Sequence, residues 1–388
     1  MKAVICGAGI AGLALAHRLH HHDWEVHIVD HARGPRAQGY MIDFFGPGYE
    51  ALTAMGLGDR LREHASPVKE FRYIDGHDRT TVSIDYRLFA KALDGEIASV
   101  MRPALEQMLR DTLPSQVDLR YRTTIDHIDG NRVHLCDGTA IDADLIVGAD
   151  GVHSRVRALA FGPESDYFRY LGMHTGAYIF TDRDMFTQVQ GQFVLTESLN
   201  RQMGFYGLTD DRVAVFAVHR TPDPTVPDDP REAFRNAYAG MGDLADRALV
   251  HCPEPEEVYY DQVAQIVMPH WGNGPVALVG DAAYAVSLVA GQGASLGIAG
   301  AYILAECLQH AGSVPEGIAE YEQRWRPVAT GVQDSARDRV TEWFLPRTAT
   351  KLLLRRWGFR AMHLPGLNRL LVGPLFPKNR QTVTELAA

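Results

Sequence analysis

Gly7, Gly9 and Gly12, spaced G-x-G-x-x-G, are the first residues of this 388-residue chain whose types and positions could do chemistry. They follow a short apolar run, Lys2 to Cys6, and open a stretch with helical periodicity that reaches about His22. In that setting Gly7 permits a tight turn, Gly9 lets the backbone approach a pyrophosphate, and Gly12 allows close helix-to-strand packing. The helix start supplies amide donors and a positive dipole end. Asp30 closes the next apolar run, 23 residues after Gly7, where a carboxylate can accept from a ribose hydroxyl. Together these residues predict dinucleotide binding over a plain packing turn. The motif alone does not choose between FAD and NAD(P).

Two further aspartates stand at strand ends. The run from Ala143 to Gly148 leads into Asp150-Gly151, with Ser154 and Arg157 beyond; Val276 to Val279 leads into Gly280-Asp281. A Gly291-Gln292-Gly293 turn then opens another helix, with Ala294 and Ser295 in its first turn. Carboxyl ends of strands are where open α/β sheets bind ligands. The competing reading, that each aspartate merely caps the next helix, weakens when both share a chain with the N-terminal motif.

The elements that must position these residues have two textures. Strand–turn–helix–strand at the N-terminus predicts an α/β, Rossmann-like domain. From about Pro67 to Tyr86, and from Tyr167 to His219, alternating segments rich in aromatics predict an antiparallel sheet. The textures interleave, so the expected organisation is discontinuous: residues 1–66, 87–165 and 266–345 form the cofactor domain, 67–86 and 166–265 an inserted substrate-binding sheet, and 346–388 a C-terminal helical segment. A net charge of −10 argues against a nucleic-acid partner. No run of 18 uncharged apolar residues suggests a membrane span. Cys6, Cys136, Cys252 and Cys307 lie too far apart for a zinc ribbon or a disulfide framework. A soluble, cytoplasmic protein is the expectation.

With all three motifs in view, the sequence resembles the single-component (class A) FAD-dependent aromatic monooxygenases, built like p-hydroxybenzoate hydroxylase. The stretch from Arg36 through Gly39 to Gly46 and Gly48 is most similar to the tetracycline-inactivating and antibiotic-pathway branch. The resemblance implies that Gly7, Gly9, Ile10, Ala11, Gly12 and Asp30 hold the ADP part of FAD, with Arg36 close by. Asp150, Gly151, Ser154 and Arg157 match the D-G-x-x-S-x-x-R motif near FAD and the nicotinamide. Gly280 and Asp281 match the G-D motif at the ribityl and pyrophosphate region, followed by Gly291, Gly293 and Ala294. Arg102, with Leu105 and Leu109, matches the helix arginine that reaches the FAD phosphates. Ile125 matches a strand residue whose backbone meets the adenine. There are departures: Tyr284 and Leu288 replace the family's histidine and proline near the flavin ring, and Ser295 replaces an asparagine.

The activity implied is hydroxylation of an aromatic, phenolic or polyketide-like small molecule through a flavin C4a-hydroperoxide. NADPH or NADH and O2 are the co-substrates. Gln192, Met203, Phe205 and Phe216 of the sheet are the candidate substrate contacts; alternation puts Met203 and Phe205 on one face, Gln202, Gly204 and Tyr206 on the other. No acid–base residue stands out. A dehydrogenase, reductase or oxidase on the same scaffold, or a non-catalytic FAD-binding module, are the alternatives; a halogenase W-x-W-x-I-P motif is absent.

Other features carry simpler explanations. His17, His20, His21 and His22 lack companion ligands for a metal and read as a solvated helix end. Residues 343–384 hold no carboxylate and eight cations: Arg347, Lys351, Arg355, Arg356, Arg360, Arg369, Lys378 and Arg380. The rest of the chain has 30 cations against 48 carboxylates, net −18. The expectation is that this basic segment packs back on the acidic body, with an anionic membrane or a carrier protein as the other possible docks.

Overall fold

The structure, a computed structural model, describes residues 1–35, 39–92, 97–287, 291–337, 344–361 and 381–388. Lys2–Cys6 is buried almost throughout and therefore pairs on both sides: Glu25–Asp30 and Leu145–Gly148 flank it in parallel register. Parallel strands need both faces covered, which explains their continuous Val, Ile and Leu runs. The six-stranded sheet continues outward through Asp118–Tyr121 on one side and Val276–Leu278 and Gly272–Asn273 on the other. The Ile10–His21 and Gly293–His310 helices pack on it. Hence strands far apart in sequence, ending at Cys6, Gly148 and Leu278, deliver all three motifs to one edge of the sheet.

The second sheet has seven strands. Their order is Tyr259–Ile266, Phe168–Thr181, Arg212–Arg220, Arg201–Gly207, Gln192–Ser198, Glu70–Ile74 and Thr80–Asp85. All neighbours run antiparallel except Gln192–Ser198 beside Glu70–Ile74, which pair in parallel. One face is covered by the Pro230–Tyr238 and Asp243–Val250 helices, the first capped by Asp229. The other face looks toward the antiparallel pair formed by Met41–Phe44 and Ala98–Met101. Cleft-side positions alternate with helix-side ones along each strand, and this parity decides which residues can meet a ligand.

Beneath the helices, the imidazoles of His174 and His219 lie 5.9 Å apart, and His219 Nδ1 bonds the Tyr238 hydroxyl at 3.0 Å. Burial first, then the neighbouring His174, pulls His219 down from 6.5 to about 4. The unfolded chain takes up this proton at the higher pH. Stability is therefore flat above about pH 6.5 and falls as pH drops toward about 4, by up to roughly 3 kcal/mol. Urea unfolding near neutrality and again near pH ~4.5 checks this: the His219→Gln protein should lose less stability between the two conditions than the parent. Equal losses would sink the assignment.

Candidate functional site

The glycine turn is built by collision avoidance. A Cβ on Gly7, whose φ is +111°, would lie 2.4 Å from the Ala149 carbonyl oxygen, and one on Gly12 would lie 2.0 Å from the Gly7 oxygen. One on Gly9 would meet nothing within 4 Å, so this peptide stands open to the cavity in front of it. The Ile10–His21 helix starts at Gly9 without a side-chain cap and without an acidic residue in its first turn. Its donors and dipole end thus face that space, suited to an anion. Asp30 fastens the turn, accepting from Ala8 N at 2.7 Å and from Ala32 N at 2.8 Å. A carboxylate retains further lone pairs after two such bonds.

Two connected spaces follow. The first is bounded by Gly7, Gly9, Asp30, Tyr121 and Asp150; the second, of about 180 Å³, runs past Ile10, Ala11, Gly280, Asp281, Gly291, Gly293 and Ala294. Arg102 lines both and stands at their junction, 3.5 Å from the buried Glu106 carboxylate. Gly280, at φ +64°, approaches closely enough that a Cβ would lie 2.9 Å from Ala11 Cβ. The Asp281 side chain is open to the channel yet enclosed by protein; that enclosure raises its carboxyl above the usual range, with the Arg102 charge opposing.

Asp150 and Arg157 do something the sequence does not reveal. Asp150 accepts from Ser154 Oγ at 2.5 Å and from the Arg155 and Val156 amides at 2.7 and 3.2 Å, so its carboxylate caps the Arg155–Ala160 helix while it lines the first space. Arg157, wholly buried, donates to the carbonyls of Val152 and Ala282 and to Glu164. It ties the D-G segment to the G-D segment across 125 residues. Ile125 is buried behind the first space, its carbonyl accepting from Arg155 Nε at 3.1 Å, and does not join the lining. Arg36 and Leu288 lie outside the described residues.

The other departures now have physical accounts. Ser295 Oγ accepts from Gly48 N at 2.8 Å and donates to the Phe45 carbonyl at 2.6 Å, joining the Gly46–Gly48 turn to the second glycine helix. Tyr284 turns into the core: its ring lies 4.6 Å from Trp271, and its hydroxyl meets Tyr321 at 3.4 Å. Gly300 makes this possible, since a Cβ there would fall 2.0 Å from the Tyr284 hydroxyl. Burial holds that phenol up to about 12, and it makes no part of the channel lining.

A larger cleft of about 1230 Å³ opens on the other side of the Met41–Phe44 strand. Tyr40 and Ile42 face the channel while Met41 faces the cleft. Gln192, Tyr206, Ile179 and Leu208 come from the sheet, and Met101 and Pro103 from the other side. Gln192 is part of the cleft wall, while alternation puts its side chain on the side of Val194, and its Oε1 is shut off from solvent without a hydrogen-bond partner among the described residues. Phe216 sits near by on the same face of the sheet, 5.6 Å from Tyr40. The expectation for Met203 and Phe205 is corrected: both are fully buried on the opposite face, among Phe234, Tyr238 and Leu244. Parity decides this, because Gly204 between them faces the cleft side, where a Cβ would strike Phe193. Tyr206, in the alternate set, is the residue that lines the cleft. Tyr40, Thr175, Tyr259 and Asp261 also line the channel, and no sequence signal marks them. Next to Asp261, His153 Nε2 lies 3.9 Å away and its Nδ1 2.9 Å from Glu164; the two carboxylates push the imidazole up to about 9.

The residues fit a dinucleotide with a long neutral arm: open amides and Arg102 for phosphates, and a glycine-lined channel that side chains would fill. The comparisons agree. Residues 1–336 match the FAD binding domain family. Protein MT1298 of Mycobacterium tuberculosis is 31% identical over 342 residues, covering 82% of this chain and 88% of that protein. A flavin-dependent monooxygenase of an unknown prokaryotic organism is 26% identical over 84% of this chain and 86% of its own length. The crystal structure of tetracycline destructase Tet(55) superposes with a TM-score of 0.81 at 23% identity, over 97% of both chains. The chain belongs to the FAD binding domain family, as a member of its class A flavin-dependent monooxygenases.

Proposed function

We propose that this protein uses NAD(P)H and O2 to hydroxylate an aromatic small molecule, phenolic or polyketide-like, held in the cleft beside the Met41–Phe44 strand. The observation that carries the reading is the alternation of that strand: Tyr40 and Ile42 on the cofactor channel, Met41 on a cleft of about 1230 Å³. One strand thus separates a site shaped for a flavin from a site large enough for a drug-sized ligand. When bound, FAD supplies the electron exchange with NAD(P)H and the activation of O2 that side chains cannot supply.

The chain's own residues do the rest. The Gly7–Gly12 turn, with Ile10, Ala11 and Arg102, holds the pyrophosphate; Asp30 meets the ribose; Gly280 and Asp281 hold the ribityl arm; Gly291, Gly293 and Ala294 give the ring a second helix start. Phe216 and Tyr206 orient an aromatic substrate and exclude water, with Gln192 in the cleft wall as the polar contact.

A decisive test supplies purified protein with NADPH, 18O2 and a panel of phenols and polyketides. Substrate-stimulated NADPH oxidation with 18O in the product is expected. NADPH use without incorporated oxygen would support a dehydrogenase, reductase or oxidase instead, the reading that Leu288 in place of the family proline favours. A yellow protein inert toward both nicotinamides and the whole panel would be a binding module. Gln192→Ala should raise the KM for the substrate about tenfold at unchanged flavin content.

A further inference from the structure

We propose that Asp43 is a specificity residue of the cleft, its carboxylate accepting a hydrogen bond from a hydroxyl or N–H of the substrate. This role rests on the cleft being the substrate site. Alternation along Met41–Phe44 puts Asp43 on the side of Met41, away from the channel-facing Tyr40 and Ile42. Its cross-strand partner is Ser99, on the next same-face rung after the Met41–Met101 pair, and both methionines line the cleft. Asp43 Oδ1 accepts from Ser99 Oγ at 2.5 Å and from the Tyr86 hydroxyl at 3.1 Å. The two hydroxyls lie 2.7 Å apart.

This trio stands directly behind the cleft wall. Ser66 and Lys69 belong to that wall. The Ser66 amide donates to the Ser99 carbonyl at 2.7 Å, and the Tyr86 amide to the Lys69 carbonyl at 2.9 Å. Tyr206 of the wall is close by: burial first, then the Asp43 charge, holds its phenol above the usual range. Phe71 stacks on Tyr86 at 5.4 Å and meets Phe193 at 5.8 Å, and Phe193 stacks on Tyr206 at 4.0 Å. The carboxylate thus has an aromatic neighbourhood. Asp43 is only half-buried, with part of its surface open inside this enclosure.

A structural duty does not account for the charge. Joining two hydroxyls asks only for a neutral acceptor, and a side-chain amide supplies one. Here a carboxylate makes no ion pair among the described residues, and its Oδ2 accepts no hydrogen bond from any of them. Enclosure raises its carboxyl above the usual range, with Ser99 and Tyr86 opposing. An unmatched charge of this kind costs free energy in the free protein and marks a functional position when it adjoins a cleft. A donor brought by the ligand favours the charged form and offsets that cost. An ether or a bare ring leaves the carboxylate unmatched. The cleft therefore selects aromatic compounds that carry a phenol, enol or amide donor at the end that passes Met41.

The test measures binding to the full-length, FAD-loaded protein by perturbation of the flavin spectrum, with β-naphthol and its methyl ether as probes. The parent should bind the naphthol about tenfold more tightly than the ether. Asp43→Asn should shrink that preference to about twofold at the same flavin content, and should melt no lower than the parent, because an unmatched charge has been removed. If that protein folds poorly, Ser99→Ala takes its place; the preference should then fall about threefold with the loss of the bond that aims the carboxylate. Equal affinity of the parent for both probes, no binding of the naphthol, or an unchanged preference in the variants would overturn the proposal. The hydroxylase reading fails separately. A naphthol preference that depends on Asp43, without 18O in any product, supports the specificity residue and removes only that reading. Incorporation of 18O by an Asp43→Asn protein that keeps the parent's preference retains the hydroxylase and removes the specificity residue.

Discussion

Gly12→Ala is expected to yield protein that holds no flavin and melts about 2–4 °C lower, from roughly 2–3 kcal/mol of overpacking. The added carbon would sit 2.0 Å from the Gly7 carbonyl oxygen and 3.3 Å from Ala149 Cβ. The first neighbour is backbone, so no rotamer change relieves the contact. Either the helix swings off the sheet or the turn opens, and each outcome removes the phosphate-facing amides. Gly9→Ala separates the two effects: its Cβ meets nothing within 4 Å and its φ is −83°. That variant should melt like the parent without cofactor while losing flavin affinity, because the methyl projects where the pyrophosphate lies. The absorbance ratio near 450 nm and calorimetry of flavin-free protein read both quantities. Loss of stability in Gly9→Ala, or flavin retained in Gly12→Ala, would refute this account of the turn.

Asp281→Ala should weaken FAD binding about 10- to 100-fold, the scale of one or two hydrogen bonds to a charged acceptor. In the flavin-free protein this carboxyl makes no hydrogen bond among the described residues, and its enclosure disfavours the charged form. A carboxylate whose folded pKa is raised detracts from stability above that pKa and ceases to detract once protonated. At neutral pH, then, Asp281→Asn without cofactor should be at least as stable as the parent, with the difference shrinking as the solution is acidified. Fluorescence titration of FAD and urea unfolding of the flavin-free variants measure the two halves. A variant that lost stability but kept its flavin affinity would show Asp281 to be a structural residue.

Much of the molecule is legible in the chain because its signals are local. Gly7, Gly9, Gly12 and Asp30 fall within one strand–turn–helix–strand unit, where spacing and backbone sterics fix their relation. The aromatic segments between Tyr167 and His219 alternate as strands should, and they form the seven-stranded sheet with residues 70–85. The basic C-terminal segment, expected to pack back on the body, does so through Arg355, Arg356 and Phe359 of its described helix.

What stays illegible depends on long-range placement. A period of two divides Met203 and Phe205 from Gly204 and Tyr206 but cannot say which set faces the ligand; the helices packed on one side settle that. Asp150 ends a strand as a ligand residue would, and the sequence does not show that its carboxylate also caps the Arg155–Ala160 helix while lining the first space. Tyr284 looks like an altered flavin contact until Gly300 gives its hydroxyl room inside the core. The sequence by itself determined the dinucleotide-binding turn, the interleaving of two textures along the chain and the acidic body with its basic tail, since glycine spacing, alternation and charge are properties of the chain. Only the tertiary structure decided which residues line the channel and the cleft, and which face of the basic helix is left to solvent. Those depend on which surfaces the packing covers, and packing partners lie hundreds of residues apart.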